Sequence, residues 1–149
     1  MTLQELSDRL EIDDLLTRYA NALDDRDWER WAACFTADAR IDYTAAGGIQ
    51  GSLPEVRAWL EQVMPGFKMT QHLVTNKEIR LDGDSATCRS CLFNPMGVAD
   101  GDGMMVFLEC GTYRDRLVRT AAGWRIAERV EQPTFSTRRD RLMLRSFEV

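Results

Sequence analysis

Histidine occurs once in these 149 residues, and several other features are scarce or missing. No stretch approaches the roughly 20 apolar residues of a membrane span, so no membrane partner is expected. The opening residues, MTLQELSDRLEIDD, put acids where a secretory leader needs a basic start and an apolar run, which points to a cytoplasmic protein. Basic charge is short as well. With 19 Lys and Arg against 24 Asp and Glu the formal charge is −5, and the absence of any basic run or stripe argues against nucleic acid as a partner. There is no glycine-rich phosphate loop and no nucleotide fingerprint, and one histidine with scattered acids makes a poor metal site. No cofactor and no metal are therefore expected. Internal repeats, low-complexity segments and linkers are also missing, so residues 1–149 read as one domain.

The four cysteines, Cys34, Cys88, Cys91 and Cys110, include a C-x-x-C pair in CRSC. A zinc site would need two further ligands at compatible spacing, and a redox pair belongs at a helix start. SATCRSCLF instead reads as a strand, where positions three apart point to opposite faces. These thiols are expected to be small buried or half-buried side chains.

What is present reads as helices first and strands later, the order of an α+β fold. In residues 12–25 the apolar side chains Ile12, Leu15, Leu16, Tyr19, Ala20 and Leu23 recur at three- and four-residue spacing, one buried helical face. At about 100° per residue, Asp24 falls at the margin of that face and Asp25 nearly opposite it. A short second helix follows in DWERWAACF, with Asp27 as its cap and Trp28, Trp31 and Phe35 on its apolar side. ARIDY then alternates, with Ile41 and Tyr43 on one face and Asp42 on the other. Ser52 and Glu55 form a capping box, with Pro54 in the first turn, for a third helix ending near Pro65 and Gly66. Four strand-like runs come after it, at residues 69–81, 85–97, 103–119 and 124–135. The separators DGD, ADGDG and TAAG are turn chemistry, which predicts an antiparallel meander. Residues 136–149 alternate basic and apolar side chains and read as a tail that docks on a neighbouring subunit. Two or three helices followed by a long curved antiparallel sheet make a cone whose interior is the natural pocket for a small-molecule ligand.

Within QHLVTNKEIRL, a period of two puts His72, Val74 and Asn76 on one strand face and Leu73, Thr75 and Lys77 on the other. If His72 faces the cone interior, the inward Asp24 is the residue placed to orient its imidazole. An Asp–His pair serves chemistry because the carboxylate fixes the tautomer and stabilises the imidazolium. Tyr43 or Tyr19 could donate a hydrogen bond to a substrate oxygen or hold a water. The plainer reading is a packing role throughout: a core histidine satisfied by the backbone, buried tyrosines, and an aspartate that caps or stays solvated.

The stretch YANALDDRDWERWAACFTADARIDY (19–43), with TQHLV (70–74) and GWRIAE (123–128), resembles the SnoaL-like group of the nuclear transport factor 2 (NTF2) superfamily. DDRDWERW, RIDY and TQH are most similar to scytalone dehydratase. The resemblance spans roughly residues 5–130 and implies an NTF2-like cone, α+β, with helices packed on a curved antiparallel sheet. Carried over position by position, it implies that His72 is the general base or acid, that Asp24 orients it, and that Tyr43 holds the water beside a substrate carbonyl. Haloalkane dehydrochlorinases of the superfamily place an Asp–His pair at the same two points. Four positions depart from scytalone dehydratase. Its tyrosine before the aspartate is Leu23 here, with Tyr19 one turn earlier; its second histidine has no counterpart; and its later serine and asparagine fall at Gly111 and Tyr113. The resemblance also implies a homo-oligomer, a dimer or trimer.

Together these readings point to a cofactor-independent, dehydratase-like lyase acting on a small apolar or aromatic substrate. His72, Asp24 and Tyr43 would carry the proton transfer, with Tyr19, Trp28, Asn76 and Tyr113 shaping the pocket. The leaving group could be water, halide or an aldehyde. An isomerase or cyclase on the same pair, or a noncatalytic small-molecule-binding module with the same cone, are the alternatives.

Overall fold

The chain opens on a capping box. Thr2 accepts from the Glu5 backbone N–H at 3.1 Å and Glu5 accepts from that of Thr2 at 2.6 Å, satisfying two N–H groups that a helix start leaves open. Helix α1, Leu3–Asp25, follows in the computed structural model, which describes residues 1–138. Its apolar stripe is fully buried at Ile12, Leu15, Leu16 and Tyr19. Arg26 ends it in a left-handed conformation (φ 56°), its N–H on the Ala22 and Leu23 carbonyls. Helix α2, Trp28–Ala32, starts on Asp27, which accepts from Arg30 N at 3.0 Å. Helix α3, Leu53–Val63, has the expected Ser52–Glu55 box and Pro54 in its first turn.

Seven strands form one curved, unclosed sheet: β1 Phe35–Asp42, β2 Gln50–Ser52, β3 Met69–Thr70, β4 Leu73–Asp82, β5 Ser85–Asp100, β6 Gly103–Thr120 and β7 Gly123–Ser136. The order is β2-β1-β7-β6-β5-β3, with β4 also on β5. The meander β4 to β7 is antiparallel as predicted, and Gly83 and Gly101, both at φ 56°, supply the left-handed residue that two-residue hairpin loops require. Neither pairing of β1 was predicted: it runs antiparallel to the short β2 and, making the sheet mixed, parallel to β7. The β1 and β7 partners are far apart in sequence, and no turn signal marks their contact. The C-terminal segment expected to dock on a neighbouring subunit lies, from residue 139 on, outside the described residues.

Bulges curve the sheet around the helices. They fall between Thr75 and Glu78 on β4 and, opposite Cys110 and Gly111 of β6, between Pro133 and Phe135 on β7, among other places. At Gly111 a Cβ would stand 2.7 Å from the Gln132 carbonyl oxygen of β7, a fixed backbone atom. Gly111→Ala should therefore force the β6–β7 ladder apart and lower the urea midpoint by the equivalent of about 1 to 3 kcal/mol. An unchanged midpoint would mean that the bulge absorbs the methyl group.

Candidate active site

Asp24 leaves α1 one turn after Ala20, on the edge of the buried stripe, and faces the break between β3 and β4. That break lies opposite a proline on the neighbouring strand. Thr70 pairs with Met96 and Leu73 with Phe93, so Pro95 of β5 stands opposite Gln71 and brings no N–H to the ladder. Gln71 still donates to the Pro95 carbonyl at 3.0 Å, but His72 turns its backbone N–H to Asp24 Oδ2 at 2.8 Å. His72 Nδ1 lies 2.6 Å from Asp24 Oδ1, and the Thr70 hydroxyl donates to the same oxygen at 2.9 Å. One carboxylate thus gathers three donors. Burial pushes the Asp24 carboxyl up, but the hydrogen bond and charge of His72, its backbone N–H and Thr70 outweigh that and hold it below the ordinary carboxylate value. Asp24 is charged at neutral pH.

The far imidazole nitrogen, Nε2, lies 3.1 Å from Asn94 Nδ2 of β5. With the Asn94 amide in this orientation its N–H donates to Nε2, which accepts, and Nδ1 carries a proton toward Asp24. Asn94 is buried, and its Oδ1 has no hydrogen-bond partner among the described residues. The imidazole, itself only 7% exposed, opens on a cavity of about 200 Å³. Leu60, Phe67, Met96 and Phe107 give that cavity an apolar wall. It is smaller than the pockets of drug-sized ligands, about 300 to 1,000 Å³, and suits a ligand of monocyclic size.

The cavity also holds Tyr19, Tyr43 and Tyr113. The Tyr19 and Tyr43 hydroxyls are 2.8 Å apart, and Tyr113 meets the Tyr19 ring edge-on. Burial, with the neighbouring Tyr19, pushes the Tyr43 phenol well above its usual value, and burial does the same to Tyr113. Both stay protonated and able to donate. Behind them Arg129 lies with its guanidinium 3.9 Å from the Tyr19 ring centre and 4.1 Å from that of Tyr113, paired to Asp115 by two bonds of 2.7 Å.

Of the residues singled out from sequence, His72, Tyr43, Tyr19 and Tyr113 line the cavity, and Asp24 holds His72 from behind. Asp25 points outward to Arg30 at 3.5 Å. Two expectations need correction. Asn76 is exposed with φ 50°, because the β4 bulge inserts a residue there and shifts the alternation, sending Lys77 and Ile79 inward instead. Trp28 is half-buried and packs against the edge of the core, while Trp31, fully buried, takes the interior place. Sequence reasoning missed Asn94, Glu109 and Glu131, all in the cavity wall. Asn94 could have been suspected from the proline beside it. Glu131 had a signal in Arg129-Val130-Glu131, where the charged positions face in and Val130 faces out.

Among the described residues, no three His, Cys, Asp or Glu side chains form a set that could hold a metal ion, and no helix is long and apolar enough to cross a membrane. The cysteines are free thiols; Cys88 is buried and Cys91 half-buried, on opposite faces of β5.

A family model described as a SnoaL-like domain matches residues 4–130. A Mycobacterium tuberculosis protein without an assigned function is 46% identical over 136 residues, 91% of each chain. Among solved structures, a candidate scytalone dehydratase of Novosphingobium aromaticivorans superposes with a TM-score of 0.82 at 23% identity, over 92% of this chain and 91% of its own. A hexachlorocyclohexane dehydrochlorinase superposes with a TM-score of 0.80 at 21% identity, over 91% and 90%. At those identities the likeness is one of fold.

Proposed function

This chain belongs to the SnoaL-like domain family of the NTF2-like superfamily, and we propose that it is a cofactor-independent, dehydratase-like lyase for a small, largely apolar or aromatic substrate. The observation that carries this reading is the pair of hydrogen bonds between His72 and Asp24, through Nδ1 at 2.6 Å and through the backbone N–H at 2.8 Å. A histidine that only packs has no use for a charged carboxylate behind it and a cavity in front. With Nδ1 protonated, Nε2 carries the lone pair a base needs.

In the proposed reaction the substrate displaces the Asn94 amide from Nε2, and Nε2 takes the proton of an acidic C–H. Rotation of the amide then turns the unpartnered Asn94 Oδ1 to the new Nε2–H, while Asp24 stabilises the imidazolium. Tyr43, accepting from Tyr19, donates to the substrate oxygen where charge develops. Tyr19 and Tyr113 hold that phenol in place and shape the cavity. Two solved structures of the same fold are named for eliminations, one of water and one of hydrogen chloride, which is the chemistry such a base begins.

The test needs no leaving group. Benzylacetone in D₂O should exchange the protons beside its carbonyl faster with the protein than in buffer, followed by NMR, and His72→Ala should slow that exchange by about 10²- to 10⁴-fold. A wild type no faster than buffer, or a variant as fast as the wild type, would turn the reading to a binding module.

A further inference from the structure

Two acidic side chains in the cavity have no part in the His72–Asp24 chemistry: Glu109, which accepts from the Ser136 hydroxyl at 2.8 Å, and Glu131. Glu131 sits on β7 opposite Tyr113 of β6, and its half-buried side chain lines the same cavity as His72. From the β3–β4 break to β7 is three strand spacings, about 14 Å measured along the sheet. Both side chains line one cavity, the imidazole from the β3–β4 break and the Glu131 carboxyl from the β7 side. No side chain among the described residues hydrogen-bonds this carboxyl. The groups around it are Arg129 on its own strand, Glu109 and Tyr113 on β6, Tyr43 beside β1, Tyr19 on α1 and Arg138 past β7.

We propose that Glu131 is a second catalytic residue, the acid that protonates a departing oxygen, and that it selects hydroxyl over halide as the leaving group. The proposal rests on the lyase reading above and deepens it. His72 Nε2 takes the proton from the carbon next to a carbonyl, and that C–H electron pair becomes the new C=C bond. The C–O bond breaks with its pair on oxygen, and the Glu131 proton makes that oxygen water. Return of the imidazolium proton to the Glu131 carboxylate through water closes the cycle with no co-reactant.

Three observations support the assignment. Hydroxide leaves poorly without a proton, whereas a halide needs none, so a carboxylic acid in the same cavity is useful only to an oxygen leaving group. Burial pushes Glu131 up to about 7, with Arg129 opposing and Glu109 adding to the rise, so the protonated form is populated at neutral pH. The acid also stands among the groups that surround Tyr43, the proposed partner of the carbonyl oxygen. The carbonyl and hydroxyl of a β-hydroxy carbonyl compound flank the carbon that loses its proton, which suits two donors and a base lining one cavity.

The test compares three probes with the full chain: benzylacetone, the aldol of acetone with benzaldehyde, and the O-acetyl ester of that aldol, whose acetate leaves without a proton. Glu131→Gln should slow dehydration of the aldol by about 100-fold or more. Benzylacetone exchange and ester elimination should stay within about threefold of wild type, which also shows the variant to be folded. Glu131→Asp should recover part of the dehydration. Since the acid must hold its proton, dehydration by the wild type should fall as pH rises through about 7, and ester elimination should not. Equal dehydration by Glu131→Gln, an equal loss on all three probes, or a wild type that exchanges benzylacetone but does not dehydrate the aldol would each overturn the role of Glu131. A wild type that fails to exchange benzylacetone overturns the lyase reading itself, and Glu131 falls with it.

Discussion

Asp24→Asn should leave the fold intact and slow proton exchange in benzylacetone about as much as His72→Ala does, by about 10²- to 10⁴-fold. The argument is one of donors. Asp24 accepts from the His72 backbone N–H, from His72 Nδ1 and from the Thr70 hydroxyl. An asparagine keeps one acceptor oxygen and gains an NH₂ group that can only donate. The backbone N–H cannot change its role, so the amide oxygen turns to it and the NH₂ faces Nδ1. The imidazole must then accept at Nδ1 and carry its proton on Nε2, the nitrogen that faces the cavity. Asn94 accommodates the change by rotating its unpartnered Oδ1 to Nε2–H. The result is a well-satisfied site with no base in it. Because His72 is the only histidine, its ¹⁵N shifts report the tautomer without substrate: Nδ1–H in the wild type, Nε2–H in the variant. Exchange within tenfold of wild type, or an unchanged tautomer, would defeat the argument.

The same pair shows how far a sequence can be read. The three- and four-residue period of α1 put Asp24 on the inner margin and Asp25 outside, and both stand there. Caps and hairpin turns were equally legible, because each is decided within a few residues. The contact between Asp24 and His72 crosses 48 positions, and no local pattern carries its distance. The pairing was raised from the inward faces of helix and strand, and the family resemblance strengthened it. The break between β3 and β4 lies opposite Pro95 on another strand, and so is invisible in TQHLV. Asn76 was placed by a strict period of two that the β4 bulge interrupts. The parallel β1–β7 contact is likewise set by the assembly of the whole sheet. What sequence does show, once strand register is known, is inverted polarity. Arg129 and Glu131 take inward positions on β7 while Val130 is exposed, and an inward charge needs either a partner or a function. Arg129 has a partner, and Glu131 carries the proposed function.

That partner sets the largest expected loss of stability, in Asp115→Asn. Both side chains are 0% exposed, and two bonds of 2.7 Å join them in a bidentate pair. Burial works against the charge on Arg129, and Asp115 more than offsets it, so the guanidinium stays charged. An asparagine keeps the shape but removes the countercharge, leaving one buried cation with only the faces of Tyr19 and Tyr113 beside it. Each such ring is worth about 2 kcal/mol or more to a desolvated cation, but both contacts exist already in the wild type, so they offset nothing new. Removal of one partner from a buried pair costs about 3 to 5 kcal/mol, which should appear as a lower urea midpoint at neutral pH. A loss under about 1 kcal/mol would show that solvent reaches the pair. Replacing both residues, Asp115→Leu with Arg129→Met, should restore much of the stability, since the desolvation of two charges disappears with them. It should not restore function. Arg129 packs on the ring of Tyr19, whose hydroxyl meets that of Tyr43, so without the guanidinium the phenol that receives the substrate oxygen loses its fixed backing. The double variant should therefore fold nearly as well as the wild type and exchange benzylacetone at least about tenfold more slowly. Full exchange in a stable double variant would reduce the buried pair to a structural element without bearing on the site.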